Sequence, residues 1–303
     1  MDSLSKQFID GLKKLVQISK ILFTPVAVSF LFIIVWRNID IFLDIFNKIR
    51  LELFVIAVIG WSILYIFYPI MLLILCRSWD QKLSFKSIYY IYINRLPAKY
   101  IPGGVWHTVA RFADFSLLGL KKRQLTAILF LENILPLGVT LLLGGTILLN
   151  HMVPQSWSSF VLTGVVFGGT ILVFSLLFVN RIILDDTDKI QVITFIWTLL
   201  ILLFYWLLTA FIFILYLQAL PENANDPNVI RVGGVYLFSW GVGYMAFFAP
   251  QGIGIFEFVS AELLSGDLDI MTTAVLIAGF RVIGLFADVL SWGALKFLGL
   301  FRC

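Results

Sequence analysis

Leu96-Pro97-Ala98-Lys99-Tyr100-Ile101-Pro102-Gly103-Gly104-Val105-Trp106-His107 lies in a chain that is otherwise apolar enough for a membrane interior. A second stretch of the same kind follows later, Ala249-Pro250-Gln251-Gly252-Ile253-Gly254-Ile255-Phe256-Glu257. Proline removes a backbone donor and glycine weakens helix, so each stretch interrupts a helix. Hydrocarbon cannot solvate bare backbone, so broken helix at that depth must line protein or a watered cavity. Two such breaks in corresponding halves of a chain point to a transporter-type binding site.

The surrounding composition sets the class. Hydrophobic residues make up 60% of the 303 residues and charged ones 13%, with a mean hydropathy of +0.98. A soluble domain of this size carries about twice that charge. The net charge of +4 reads as membrane topology and not as a nucleic-acid footprint. Cys76 and Cys303 stand far apart, so neither a disulfide nor a metal site is expected. No Walker sequence, metal-ligand cluster or nucleophile–base arrangement is visible, and no cofactor or enzymatic activity is expected.

Apolar runs long enough to cross a bilayer fall at Lys20–Trp36, Leu51–Leu75, Leu125–Leu149, Ser158–Val179, Gln191–Leu217 and Ile270–Phe297. A basic amphipathic helix precedes the first, which reads as a retained signal anchor. Pro69 predicts a kink near the end of the second. The remaining two apolar segments, Ser87–Gly119 and Val232–Ser265, hold the breaks. Lysine and arginine collect at the N-terminus, at Arg77–Lys86, at Lys121–Arg123, at Arg181–Lys189 and near Lys296 and Arg302. Positive charge marks the cytoplasmic side, so both termini are expected there, in a bacterial inner membrane.

That orientation makes residues 87–119 enter and leave on the inner side, as a re-entrant helical hairpin. By the same count residues 232–265 form a hairpin entering from outside. The expected fold is therefore an all-α polytopic membrane protein with about six full spans and two re-entrant hairpins, eight hydrophobic segments in all; eight ordinary spans with two proline kinks is the competing expectation. Residues 1–150 and 151–303 form an inverted-topology repeat within one integral membrane domain.

Ionisable groups inside the apolar segments are few, and each costs at least ~2.5 kcal/mol if it faces lipid at a helix centre. Glu132 lies early in one span and Arg281 midway along the last, with Asp288 two turns further on the same face. Glu257 closes the second break, and His107, Arg111 and Asp114 share one helical face after the first. Half-helix N-termini at Gly103–Gly104 and Gly252–Gly254 would present free N–H groups to an anion such as phosphate. Arg111 and Arg281 would add bidentate positive charge. Glu132 and Glu257 would neutralise those arginines when the site is empty, contact a cationic headgroup, or serve as partners that hold the hairpins. His107, beside Trp106, reads as a hydrogen-bonded packing residue. The aromatic residues near span ends, Tyr89, Tyr90 and Tyr92 among them, read as an interfacial belt.

At these residues the chain resembles the flippase-like family typified by the transmembrane region of lysylphosphatidylglycerol synthases. The pattern of that family is Pro-Gly with a downstream Arg, then a Glu opening the next span. A Pro-x-Gly-x-Gly-x-x-Glu motif follows, with an Arg in the last span. Here these are Pro102-Gly103-Gly104 with Arg111, Glu132, Pro250-Gln251-Gly252-Ile253-Gly254-Ile255-Phe256-Glu257, and Arg281. The soluble lysyl-transfer domain of the full synthases has no counterpart here, and Trp106-His107 departs from the family near the first glycine pair. The resemblance implies substrate contacts at Pro102, Gly103, Gly104, Arg111, Glu132, Pro250, Gly252, Gly254, Glu257 and Arg281. It also implies movement of an anionic phospholipid or lipid-linked glycan between leaflets, with membrane lipids as partners and envelope glycan or glycolipid enzymes as further ones. A non-transporting accessory subunit and a small-anion or ion-coupled transporter are the competing expectations.

Overall fold

The computed structural model describes residues 49–100, 106–151, 153–219, 228–246, 252–264 and 270–297, all of it helix and connection without a strand. Ten α-helices lie within these residues: α1 (Leu51–Leu64), α2 (Phe67–Ser78), α3 (Phe85–Asn94), α4 (Trp106–Leu117), α5 (Lys122–Asn150), α6 (Gln155–Phe178), α7 (Val192–Gln218), α8 (Val229–Met245), α9 (Ile255–Leu263) and α10 (Ile270–Phe297). Four stretches among them are long and apolar enough to cross a membrane: Leu51–Ser78, Lys122–Asn150, Gln155–Ile183 and Val192–Gln218. The expected Lys20–Trp36 span and the helix before it lie outside the described residues.

Proline placement shapes the first of these stretches. The chain expected to kink at Pro69 is interrupted at Tyr65–Ile66, between α1 and α2. The interruption falls where it must, because a proline ring clashes with the carbonyl four residues earlier, here Tyr65. Pro136 sits inside α5 without ending it, and its missing N–H leaves the carbonyl of Glu132 without its helical partner. The Thr140 hydroxyl donates to the Pro136 carbonyl at 2.9 Å. Other starts are set by caps: Ser84 accepts from the Ser87 N–H at 3.1 Å ahead of α3. Asn228 accepts from the N–H groups of Ile230 and Arg231 at the start of α8.

Helix α5 is the most enclosed of the long helices, packed on α6 and α8. Small residues permit the approach. A Cβ at Gly144 would collide with the backbone nitrogen of Phe238 and would lie 2.8 Å from the Gly234 carbonyl. Phe238 fills the space beside this contact, fully buried. Apolar burial cannot drive association inside lipid, so close backbone packing of this kind supplies much of the attraction.

Connections at the helix ends fix which segments share an end of the bundle. The Trp79 indole donates to the Asp188 carbonyl at 2.7 Å, and the Lys121 ammonium reaches the Asp188 carboxylate at 2.8 Å. Trp79, at the end of α2, and Lys121, at the start of α5, therefore meet at one end of the bundle. The Arg231 guanidinium donates to the Leu263 carbonyl at 2.7 Å, so the start of α8 and the end of α9 also lie together. This second meeting point is at the opposite end of α5, where Asn228 and His151 approach to 3.5 Å. The Arg50 N–H donates to the Ala219 carbonyl at 2.7 Å and ties the start of α1 to the end of α7.

Candidate functional site

Four of the expected site residues meet as two ion pairs. Arg111, on the 12-residue helix α4, places Nη2 3.0 Å from Oε2 of Glu132, on α5. Arg281, on α10, places Nη2 2.9 Å from Oε1 of Glu257, on the nine-residue helix α9. Each pair joins the short helix after a break to the long helix that follows it. The two cations are 12% and 23% exposed at their side chains, so both pairs are largely withdrawn from solvent.

Their surroundings differ. Around Glu132, the Tyr92 hydroxyl donates to Oε1, and the Arg111 guanidinium lies 4.3 Å from the centre of the Tyr92 ring. One tyrosine thus serves the anion through its hydroxyl and the cation through its face. Tyr92 was expected in the interfacial belt; it points inward instead, because α3 turns that side toward α5. Asn133, next along α5, accepts from the Tyr244 hydroxyl of α8.

Around Glu257 the partner is backbone. The Gly254 N–H donates to Glu257 Oε2 at 2.6 Å, so this side chain caps its own helix. Gly254 has φ +90° and Gly252 φ +67°, values that side-chain-bearing residues resist. A Cβ at Gly252 would also lie 2.7 Å from the Gly243 backbone of α8. The free N–H expected here for an external anion is thus engaged by the chain's own carboxylate. Phe256 lies 5.8 Å under the Arg281 guanidinium.

The remaining expectations divide. His107, Arg111 and Asp114 were read together on one face, but Asp114 binds Arg95, at the end of α3, through two hydrogen bonds of 2.7 Å. His107 Nδ1 is buried without a hydrogen-bond partner, and its Nε2 lies 3.2 Å from the Thr108 hydroxyl. Pro102, Gly103, Gly104 and Pro250 lie outside the described residues.

A third polar cluster was missed. Asp288, on α10 and 4% exposed at its side chain, forms an ion pair with Lys99 and accepts from the Tyr65 hydroxyl. Lys99 belongs to the 3-10 segment Leu96–Tyr100 just before the first break, and Tyr65 to the interruption between α1 and α2. The signal available in sequence was Asp288 itself, an acid two turns beyond Arg281 that required a cation. Among the described residues no group of three or more His, Cys, Asp and Glu could hold a metal ion.

No family model matches this chain, and no curated protein matches it in sequence.

Proposed function

We propose that this chain is a lipid translocase that moves an anionic phospholipid or lipid-linked glycan between the leaflets of a bacterial inner membrane. The observation that carries the reading is the pair of buried Arg–Glu contacts, one behind each break. A charged side chain at membrane depth is expensive enough to mark a functional path by default. A phosphate displacing the carboxylate from Arg111 or Arg281 would find a planar donor set of matching geometry.

The helix contacts support an inverted repeat with two re-entrant hairpins. Let α1–α2 correspond to α7, α3–α4 to α8–α9, and α5 to α10. The contact of α4 with α5 then answers that of α9 with α10, and α5 with α8 answers α10 with α3. Likewise α2 with α3 answers α7 with α8, and α1 with α10 answers α7 with α5. The two returning segments, one closed at Asp188 and one at the Arg231–Leu263 contact, enter from opposite ends. Lys121–Arg123 and the Asp185–Lys189 turn share one end, supporting a cytoplasmic assignment for both. Rocking of one repeat against the other would expose the site alternately while the tails remain in lipid.

The test is leaflet exchange in proteoliposomes, with fluorescent phosphatidylglycerol and a polyprenyl-phosphate sugar as probes. Exchange above that of protein-free vesicles is expected, falling more than about tenfold in Arg281→Gln, as loss of a charge-assisted contact predicts. Folded protein that exchanges neither probe would remove the reading. The accessory-subunit reading draws on the Gly254–Glu257 cap, which gives that glutamate a structural task. It predicts that Arg281→Gln keeps full function in the cell once folding is preserved.

A further inference from the structure

Helices α7 and α8 build a column of aromatic rings that ends at the surface. Trp206, on α7, lies against Trp240 with ring centres 4.2 Å apart, and Trp240 stacks on Tyr244 at 5.0 Å with 10° between the planes. Trp206 is 2% exposed and Tyr244 40%, so the column runs from the core outward. The Tyr244 hydroxyl donates to Asn133 of α5, and the Asn133 amide donates to the Leu129 carbonyl at 2.6 Å. The last ring is therefore fixed at its hydroxyl and on one face, and its open part is the opposite face and edge.

The depth of this ring limits what can lie against it. Asn133 stands eleven residues past Lys122, where α5 begins, which is ~16 Å along the axis and about half of a ~30 Å hydrocarbon core. An amide and a phenol exposed at that depth are poorly matched to acyl chains, and polar side chains within a span turn by default to a watered path. The neighbours agree. Gly243, beside Tyr244, packs on Gly252 of the second break, and Glu132, beside Asn133, holds Arg111 behind the first.

Ring geometry selects the chemistry. A cage for a quaternary ammonium needs rings at an angle around one centre, whereas Trp240 and Tyr244 are parallel and in contact. Arg111 also cancels the negative charge of Glu132 that would hold a cation. One flat aromatic face beside an amide suits a neutral ring with C–H groups on its face and hydroxyls at its edge, which is a pyranose. An asparagine amide has two N–H donors and two acceptor lone pairs. The Leu129 and Tyr244 contacts use one of each, and the others match a pair of sugar hydroxyls.

Resting on the lipid reading above, we propose that Tyr244 and Asn133 form a sugar subsite, which takes the first hexopyranose of a lipid-linked glycan while its phosphate lies at Arg111. The recognised chemistry is a hexopyranose ring, carried by a lipid or free in water.

The test separates sugar from lipid. Purified full-length protein is held in octyl tetraethylene glycol ether, a detergent without sugar. Polyprenyl-phosphate glucose and the same polyprenyl phosphate without sugar are titrated and counted by native mass spectrometry, and methyl glucoside is followed by saturation-transfer NMR. Tyr244→Leu is expected to weaken binding of the glucosylated lipid about fivefold, the size of one aromatic contact, and to leave the bare phosphate lipid unchanged. Asn133→Leu should act in the same selective way. Tyr244→Phe keeps the ring and should stay within about twofold of the unsubstituted protein. If the two residues only clamp α5 to α8, Tyr244→Phe lowers thermal melting and the binding of both lipids as much as Tyr244→Leu does, and that result overturns the proposal. Glucosylated and bare lipids that bind alike in every variant also overturn it and leave the lipid reading standing. Methyl glucoside binding that is lost in Tyr244→Leu, in protein that takes neither lipid, keeps the sugar subsite and removes the lipid reading. Folded protein that takes none of the three probes overturns both.

Discussion

The regions behind the two breaks make the same contact with opposite polarity. In the first, the short helix brings the cation, Arg111, to an acid on the long helix. In the second, the short helix brings the acid, Glu257, to a cation on the long helix. The reason lies in what else each side chain does. Glu257 sits in the first turn of α9, where an acid satisfies an orphan N–H and complements the helix dipole; an arginine there would do neither. Arg111 sits in the second turn of α4, past the positions where an N-cap is needed, and uses the Tyr92 ring instead. The difference teaches that the ion pair is the shared requirement, while its polarity follows from where on the short helix the charge falls.

Breaking the second region should have the largest effect. Gly252→Val forces a β-branched residue to φ +67° and into the Gly243 backbone, which costs several kcal/mol by the usual scale of such strain. Aggregated protein on size-exclusion chromatography is the expected outcome, and a monodisperse variant with normal melting would show that this turn relaxes freely. A reversal of the first region sharpens the comparison. Arg111→Glu alone should destabilise by about 3–5 kcal/mol, the usual cost of leaving one member of a buried pair without its partner. Adding Glu132→Arg should recover part of that in thermal melting, since opposite charges again face each other. Leaflet exchange should stay low in the double variant if the site requires the cation on α4; full recovery would make polarity irrelevant there. The smallest effect is expected from Tyr92→Phe. It removes the hydroxyl that serves Glu132 and keeps the ring under Arg111, so a loss of about 1 kcal/mol is expected. Unchanged melting would show that the ring face carries the interaction.

Much of this was legible from hydropathy alone. The long helices α5, α6 and α7 lie within a few residues of the runs read from the sequence, because length and apolarity leave few alternatives for a backbone in lipid. The pairs Arg111–Glu132 and Glu257–Arg281 were legible as candidates, since a charge in an apolar run needs a partner. Lys99 was not, because it lies among prolines and aromatics at a break, where one lysine resembles any interfacial lysine. Tyr65 and Tyr92 were lost for a related reason: tyrosine is common at membrane interfaces, and only the rotation of α1 and α3 about their axes decides whether the hydroxyl faces headgroups or a buried acid. The site of the helix interruption at Tyr65 was missed by four residues, the distance over which a proline acts on the preceding carbonyl.

The contact of α5 with α8 at Gly144 limits how any such protein could move. In the proposed repeat these helices belong to different halves, yet their backbones touch with no side chain between them. Sliding one past the other would drive Phe238 and Leu237 against α5 at once. Packed surfaces of this density change by discrete steps and not by continuous shear. A relative motion of the halves would therefore need this line as its axis, with displacement growing toward α10 and the segment that carries Lys99.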